Sequence, residues 1–258
     1  MILEKIAAKR AEQLRREMDA APLEQVKRAA EHAAPPRDFD GALRKRGLSV
    51  LAEVKKASPS KGLICPDFHP ERIARGYEAA GADAVSVLTE EAYFQGSSEV
   101  LRVVRAAVEL PLLRKDFILG PYQIYEARAL GADAVLLIAA LLREEQLREY
   151  KKIADSLGLA CLMEAHDERE LEAVLSAGAE FVGVNNRDLR TFRVDLGTTE
   201  RLAKLVPPGR VLVSESGFRT RADAARAERA GAGAVLVGET LMRSGDPAAV
   251  LRELRGAP

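Results

Sequence analysis

A short motif recurs four times along the chain and constrains its fold more than any other feature. Each copy reads glycine, alanine, an acidic or small residue and then an apolar run, and the copies lie about 50 residues apart. Each also follows an alanine-rich helical stretch, so we expect its glycine to end a helix in the left-handed conformation, just before a buried parallel strand. The four copies begin at Gly81, Gly131, Gly178 and Gly231.

A further apolar run precedes each copy, which doubles the number of predicted strands to eight. These additional strands are predicted at Ser49 to Val54, 111–113, Leu159 to Met163 and Arg210 to Val213. Eight alternating β/α units predict an α/β protein with a (β/α)8 TIM barrel and an N-terminal helical extension. We expect a single domain over 1–258, with the extension at 1–47 and the barrel at 48–258. A doubly wound open sheet is the alternative, but its first strand would be followed by a glycine-rich turn rather than by Lys56-Ala57-Ser58.

The extension is predicted to form two charged amphipathic helices. They are broken near Ala21-Pro22 and end at Pro35-Pro36. Such a segment either caps one end of the barrel for stability or forms a lid over a ligand, and we favour the cap.

The composition limits the classes of partner. Lys and Arg number 39, as do Asp and Glu, so nothing favours nucleic acid or an anionic membrane. The longest apolar run, Ala134 to Leu142, is too short to span a bilayer, and the charged N-terminal sequence does not resemble a signal peptide. The two cysteines do not suggest a disulfide framework. We therefore expect a cytoplasmic protein, and a monomer because no long unpaired apolar helix face stands out.

Polar residues end several predicted strands, at the barrel face where active sites lie. Each alone would ordinarily begin a solvated loop, but together they predict a site. Alternating charges would keep both lysines protonated, and an ammonium group suits a carbonyl oxygen on which negative charge develops. The set comprises Glu53, Lys55, Lys115, Glu164, Asn185 and Glu215.

The ends of the last two strands predict a phosphate site. Backbone N–H groups at Ser216, Gly217 and Gly238 are expected to meet a short helix that begins near Glu239. The alternative is that these glycines only make tight turns. Glu239 fits a phosphate site only if its side chain points away and its N–H is used. The long loop from Ala57 to His69 is predicted to be a mobile lid.

Five motifs in order resemble the indole-3-glycerol-phosphate synthase family, and the similarity extends over essentially the whole chain. They are Glu53-Val54-Lys55-Lys56-Ala57-Ser58-Pro59-Ser60, Leu113-Arg114-Lys115-Asp116-Phe117, Leu162-Met163-Glu164, Asn185-Asn186-Arg187-Asp188-Leu189 and Ser214-Glu215-Ser216-Gly217.

This resemblance implies ring closure of 1-(2-carboxyphenylamino)-1-deoxyribulose 5-phosphate to indole-3-glycerol phosphate, with loss of carbon dioxide and water, in tryptophan biosynthesis. It implies that Lys115 is the general acid on the ketone oxygen, oriented by Glu53 and Asn185. Glu164 and Lys55 would serve the later dehydration, with either one as the acid. No redox step occurs, so no cofactor is implied.

The resemblance also implies how the substrate is bound. Ser58 and Arg187 would hold the anthranilate carboxylate, and Glu215 would have a binding role beside the catalytic groups. The phosphate would be bound by the backbone of Ser216, Gly217, Gly238 and Glu239 with help from Lys55, and the aromatic ring by Phe94, Phe117, Leu136, Leu189 and Phe192. Some family members carry lysine in place of Ala57 and serine in place of Glu239, which leaves the details of phosphate binding open.

Two rival functions remain. A phosphosugar isomerase resembling phosphoribosylanthranilate isomerase would carry a cysteine at the end of strand one and an aspartate at the end of strand six. A non-catalytic phosphate-ligand-binding barrel would have no reason to keep Lys115, Glu164 and Lys55 together. The three histidines, at 32, 69 and 166, do not have the spacing of metal ligands, and we expect structural or surface roles for them.

Overall fold

The structure is a computed structural model that describes residues 2–256, and in it eight parallel strands close into a barrel. The first and last strands pair, with Ser49 opposite Ala234, so the sheet has no free edge. The predicted TIM barrel is confirmed and the open doubly wound sheet was the wrong alternative. The strands are β1 (Ser49–Val54), β2 (Ala84–Leu88), β3 (Leu112–Lys115), β4 (Ala134–Ile138), β5 (Ala160–Ala165), β6 (Phe181–Asn185), β7 (Val211–Glu215) and β8 (Ala234–Val237).

Helices surround the barrel and connect its strands. A short antiparallel hairpin, Ala57–Ser58 with Gly62–Leu63, lies in the loop after β1. Within residues 2–256, no helix has both the length and the apolar character needed to cross a membrane. The helices are α1 (Ile2–Ala20), α2 (Leu23–His32), α3 (Phe39–Leu43), α4 (Pro70–Ala79), α5 (Ser98–Ala107), α6 (Pro121–Ala129), α7 (Glu144–Ser156), α8 (Glu168–Ser176), α9 (Gly197–Leu202), α10 (Arg221–Arg229), α11 (Glu239–Arg243) and α12 (Pro247–Arg255), with a 3-10 turn at Ala203–Leu205.

The four repeat glycines have the conformation that the motif predicts. Their φ angles are all positive, a region that side chains with a Cβ atom avoid. Each follows the C-cap of a helix and leads into β2, β4, β6 or β8, so every copy marks the same step in a pair of β/α units. The φ angles are 82° at Gly81, 85° at Gly131, 85° at Gly178 and 102° at Gly231.

The acidic residue of the first two motif copies ties neighbouring strands together. Asp83, just before β2, accepts a hydrogen bond from the backbone N–H of Val50 in β1 at 2.8 Å. Asp133, just before β4, accepts one from the N–H of Leu112 in β3 at 2.7 Å. Both contacts lie at the amino ends of the strands, far from the face that carries the polar strand ends. The acidic residue of the motif therefore stabilises the barrel at the amino ends of its strands.

The N-terminal extension contacts both ends of the barrel. Helix α3, which the sequence did not predict, closes the amino end, where the rings of Phe39 and Phe181 meet edge to face with centroids 5.4 Å apart. Helix α2 packs against α6 on the outside. Helix α1 lies at the opposite end, where Ile2, Leu3 and Ile6 line the main cavity. One part of the extension, α3, thus caps the amino end of the barrel, and another part, α1, forms part of the cavity wall.

Candidate active site

One cavity of about 880 Å³ opens at the carboxyl ends of the strands. β3, β6 and β7 each end on one of the polar residues singled out from the sequence, so these residues are the last members of strands and not the first of loops. Every residue considered for catalysis or binding lines the cavity: Glu53, Lys55, Ser58, Phe94, Lys115, Phe117, Leu136, Glu164, Asn185, Arg187, Leu189, Phe192, Glu215, Ser216, Gly217, Gly238 and Glu239.

Lys115 lies at the centre of the charged groups. Its Nζ atom is 2.7 Å from Oε2 of Glu215 and 3.0 Å from Oε2 of Glu164. Burial alone would lower the pKa of Lys115, but the charges of Glu164, Glu215 and Glu53 outweigh it, and the pKa lies above its ordinary value. The side chain is therefore an ammonium group that faces the cavity, with 13% of its surface exposed.

The contacts of Lys115 differ from those expected. Glu53 and Asn185 were expected to orient it, but its hydrogen bonds go to Glu164 and Glu215. Glu53 instead forms an ion pair with Lys55, and Asn185 accepts a hydrogen bond from the backbone N–H of Arg187 at 3.0 Å. Glu215, expected only in a binding role, is thus a direct partner of the central lysine.

A glycine in β6 makes room for this arrangement. A Cβ atom on Gly183 would lie 2.5 Å from Oε1 of Glu215, closer than any real contact. Gly183 pairs with Glu164 on one side and Val213 on the other, so it lies between the strands that carry the two carboxylates of the lysine cluster. Gly183 was not among the predicted site residues, although a glycine inside a strand is a signal of close approach.

The pKa values of the two carboxylates that contact Lys115 are shifted in opposite directions. Burial favours the protonated form of Glu164, but Lys115 and His166 outweigh it and hold the pKa of Glu164 below its ordinary value. Burial raises the pKa of Glu215, Lys115 opposes that effect, and repulsion from Glu164 adds to the rise. Glu164 is therefore the carboxylate that stays ionised, whereas Glu215 is the one that takes up a proton more readily.

The turn after β7 has a left-handed backbone at two successive residues. Ser216 and Gly217 both have positive φ angles, 68° and 98°. Asn186 holds this turn, because its Nδ2 group donates to the backbone oxygens of Glu215 at 3.0 Å and Ser216 at 3.1 Å. Of the two adjacent asparagines, Asn186 is thus structural and buried, while Asn185 faces the cavity.

Glu239 lies among cations at the edge of this turn. It is the first residue of α11, as expected for the short helix. Its carboxylate is 3.4 Å from Arg243, 3.5 Å from Lys61 and 3.7 Å from Arg187. Lys61 comes from the loop after β1, so this contact joins that loop to α11, which follows the neighbouring strand β8. The side chain of Glu239 lines the cavity rather than pointing away from it.

The aromatic wall is built by the loops after β2 and β3. The rings of Phe94 and Phe117 have centroids 5.8 Å apart. Buried Glu90 shapes the first loop, because its carboxylate accepts hydrogen bonds from the N–H groups of Tyr93 and Phe94 at 2.8 and 3.0 Å. The Phe94 carbonyl accepts a hydrogen bond from the N–H of Ala57 at 3.2 Å, which joins this wall to the loop after β1. That loop lines the cavity with residues 58–60, and its mobility stays a prediction.

His166 is the residue beside the site that the sequence analysis assigned no function. It follows β5, and its Nε2 atom is 3.3 Å from Oε1 of Glu164. Its side chain is 15% exposed, which rules out the surface role considered for it. A signal was present in the sequence, because residues two apart in an extended segment lie on one face and Glu164 is two residues before His166.

Comparisons with known proteins agree with this geometry. A family model described as indole-3-glycerol phosphate synthase matches residues 3–254. The chain is 52% identical to the indole-3-glycerol phosphate synthase of Ruminiclostridium cellulolyticum over 260 aligned residues, which cover 100% of each chain. It is 47% identical to the enzyme of the same name from Acetivibrio thermocellus, over 99% of each chain.

A solved structure of lower sequence similarity shares the fold alone. It is the thiamine phosphate pyrophosphorylase from Pyrococcus furiosus, with a TM-score of 0.61 and 17% identity over 81% of this chain and 94% of that chain. The family model and the full-length relatives, by contrast, match the sequence itself from end to end. The chain therefore belongs to the indole-3-glycerol phosphate synthase family.

Proposed function

We propose that this chain closes the indole ring of 1-(2-carboxyphenylamino)-1-deoxyribulose 5-phosphate with Lys115 as the general acid. The observation that carries the proposal is the ammonium group of Lys115, held by Glu164 and Glu215 in a largely buried position on the cavity wall. Family membership supports the reaction, and the position of Lys115 supports its role.

Ring closure requires the ketone oxygen to gain a proton as the aromatic carbon attacks. A buried ammonium group is a strong donor for that oxygen, and few water molecules compete with it there. The rings of Phe94 and Phe117 provide an apolar surface on which the aromatic ring of the substrate is held near the ketone. Positioning of this kind can contribute several kcal/mol, about 7 or more in favourable cases. Loss of carbon dioxide then restores aromaticity.

The dehydration that follows needs one acid and one base. Lys55 is an ammonium group in an ion pair with Glu53, and Glu164 is the carboxylate that contacts Lys115 and His166. Lys55 therefore suits the role of acid toward the leaving hydroxyl group, and Glu164 suits that of base toward the ring methylene. The sequence leaves open which of Lys55 and Glu164 is the acid, and we propose Lys55.

The two anionic ends of the substrate require separate sites. Ser58, from the loop after β1, and Arg187, from the loop after β6, would bind the carboxylate, since both line the cavity. The turn at Ser216 and Gly217 would bind the phosphate through its N–H groups, with those of Gly238 and Glu239 opposite. Gly238 lies directly against the ion pair of Glu53 and Lys55, so the ammonium group of Lys55 is near enough to assist.

We also propose that the protein acts as a monomer in the cytoplasm. The exposed large hydrophobic residues among 2–256, Met18, Leu63 and Leu205, lie on three separate elements and form no shared apolar face. Both cysteines are free, with Cys161 buried in β5 and Cys65 in the loop after β1, which suits a reducing compartment. Sedimentation of the purified chain would test whether it is a monomer.

The test of the reaction uses purified protein, the carboxyphenylamino-deoxyribulose phosphate and the appearance of indole fluorescence. Lys115→Ala is expected to lower kcat by about 1,000-fold, within the range for loss of a general acid. Lys152→Ala, an exposed lysine on α7, is the matched control and should retain kcat.

Two results would contradict the proposal. Turnover that survives in Lys115→Ala would keep the reaction but move the acid role to another group. Binding of the substrate without turnover by the intact protein would instead favour a non-catalytic phosphate-ligand-binding barrel.

A further inference from the structure

His166 is held between two carboxylates on different elements. Its Nδ1 atom is 2.9 Å from Oε2 of Glu170, in the first turn of α8. Its Nε2 atom is 3.3 Å from Oε1 of Glu164, at the end of β5. The other oxygen of Glu164, Oε2, contacts the ammonium group of Lys115 at 3.0 Å. The order in space is thus Glu170, His166, Glu164, Lys115.

Glu170 fixes the imidazole ring. Its Oε2 atom also accepts the backbone N–H of His166 at 2.9 Å, while Asp167 caps α8 by accepting the N–H of Glu170 at 2.8 Å. A carboxylate that faces Nδ1 requires a proton on that nitrogen. In the neutral ring the lone pair of Nε2 would then face an oxygen of Glu164, which is repulsive. A proton on Nε2 removes that repulsion, so the contacts favour the imidazolium form.

The surroundings of the ring agree with a positive charge. Nε2 is buried and makes no well-formed hydrogen bond within residues 2–256, so the charge of Glu164 is its nearest compensation. Burial alone would lower the pKa of His166, but Glu170 and Glu164, with a smaller effect of Glu215 on β7, raise it above its ordinary value. On the other side of Glu164 from His166, the nearest positive charge is that of Lys115.

We infer that His166 is a positioning residue for Glu164, and that its imidazolium ring holds the carboxylate in the orientation that the dehydration needs. This inference rests on the proposed function, in which Glu164 is the base. A carboxylate bound at one oxygen can turn about its terminal bond, whereas one bound at both oxygens is fixed. His166 supplies the second contact and keeps Glu164 ionised by its charge. It does not touch the substrate.

The first test compares His166→Ala with His166→Asn. The alanine variant removes the contact, and we expect kcat to fall by about 30-fold with little change in KM, because small misplacements of catalytic groups cost up to about 100-fold. Asparagine keeps an N–H donor near Glu164 and should recover part of kcat. Added imidazole should partly restore the alanine variant and not the asparagine variant. His32→Ala, an exposed histidine on α2, is the control for loss of a histidine.

The pH profile separates positioning from general stability. In the intact protein, kcat should fall as pH rises through the pKa of His166, because the neutral ring repels Glu164. In His166→Asn no proton can be lost at this position, so that decline should disappear and leave only a decline at higher pH. Equal losses in both variants, with an unchanged profile and no rescue by imidazole, would overturn the inference.

An NMR titration of the His166 ring tests the contact without reference to turnover. We expect its pKa to fall in Glu164→Gln and in Glu170→Gln, since each substitution removes a negative charge beside the ring. An unchanged pKa in Glu164→Gln would overturn the inference even in an active protein. Absence of turnover in the intact protein, with the pKa falling as expected, would instead contradict the proposed function alone.

Discussion

Arg10 of helix α1 forms a fully buried ion pair with Asp116, the residue that follows Lys115. The distances are 2.8 Å from Nε to Oδ1 and 3.1 Å from Nη2 to Oδ2, a two-pronged contact across the mouth of the barrel. Arg114 contacts the same carboxylate, so two arginines hold the end of β3. Burial favours protonated Asp116, but Arg114 and Arg10 keep its pKa below the ordinary value.

Removal of Arg10 should therefore affect both stability and catalysis. In Arg10→Met, Asp116 keeps a single arginine and Glu17 keeps only the amide of Gln13, so we expect the free energy of unfolding to fall by about 3 kcal/mol. We also expect kcat to fall, because the end of β3 carries Lys115. Urea unfolding and kcat are the measurements. Arg16→Met, on the same helix but in an exposed ion pair, should change neither, and a loss of the same size there would contradict this explanation.

Glu215 should control the pH range over which Lys115 acts as an acid. Lys115 must be protonated to donate, so activity falls as pH rises through its pKa. Glu215→Gln removes one of the negative charges that raise this pKa. In the His166→Asn background, where residue 166 has no proton to lose, the alkaline limb of kcat/KM should therefore move to lower pH. The exposed substitution Glu172→Gln is the control. A limb that stays in place would show that another group sets it.

Glu239 should weaken binding of the substrate, because its carboxylate lies at the edge of the site that we propose for the phosphate. Glu239→Ser frees Lys61, Arg187 and Arg243 from their present partner. Loss of one repulsive charge at about 5 Å is worth about 1 kcal/mol in a partly solvated site, or a KM about fivefold lower at low salt. Salt should reduce the difference. A higher KM in Glu239→Ser would mean that Glu239 organises the cations for binding, and Glu71→Gln on α4 tests for a general effect of charge.

Asp133 should matter for stability and not for the reaction. It accepts hydrogen bonds from the backbone N–H groups of Arg37 at 2.6 Å and Leu112 at 2.7 Å, and from the side chain of Arg105 at 2.8 Å. Asp133→Ala leaves these donors without their acceptor and should lower the free energy of unfolding by about 3 kcal/mol. Glu109→Ala, an exposed partner of Arg37, is the control.

The kcat of Asp133→Ala at 25 °C should match that of the intact protein, since the residue lies at the amino ends of the strands. A large fall in kcat without a fall in stability would contradict this separation of the two ends of the barrel.

The barrel was predictable because its signals are local. A glycine at each helix end, followed by an apolar run, repeats at Gly81, Gly131, Gly178 and Gly231, and eight such units in this length are typical of a closed parallel barrel. Helix α3 was missed because five residues, Phe39–Leu43, are too few to show helical periodicity.

The membership of the site was predictable, whereas its pairings were not. Lys115, Glu164 and Glu215 lie at the ends of predicted strands, so their membership of the site could be predicted before the register of the strands was known. Asn185 and Glu215 are register partners in neighbouring strands, so which of them meets Nζ of Lys115 depends on the space around each side chain and not on the position of the strand end. Gly183 was missed for the same reason, since its importance lies in the space that it leaves to a residue of the next strand.

The contacts of the extension also set an order of events during synthesis. Arg10 precedes Asp116 by 106 residues in the sequence, so during synthesis α1 lacks its buried partner on the barrel and has an uncovered apolar face until β3 has been made. The barrel cannot close until β8, the last of its strands, has been made and pairs with β1. Both contacts join segments that are far apart in the sequence, so the earlier segments of the nascent chain stay without these native partners while much of the barrel is translated.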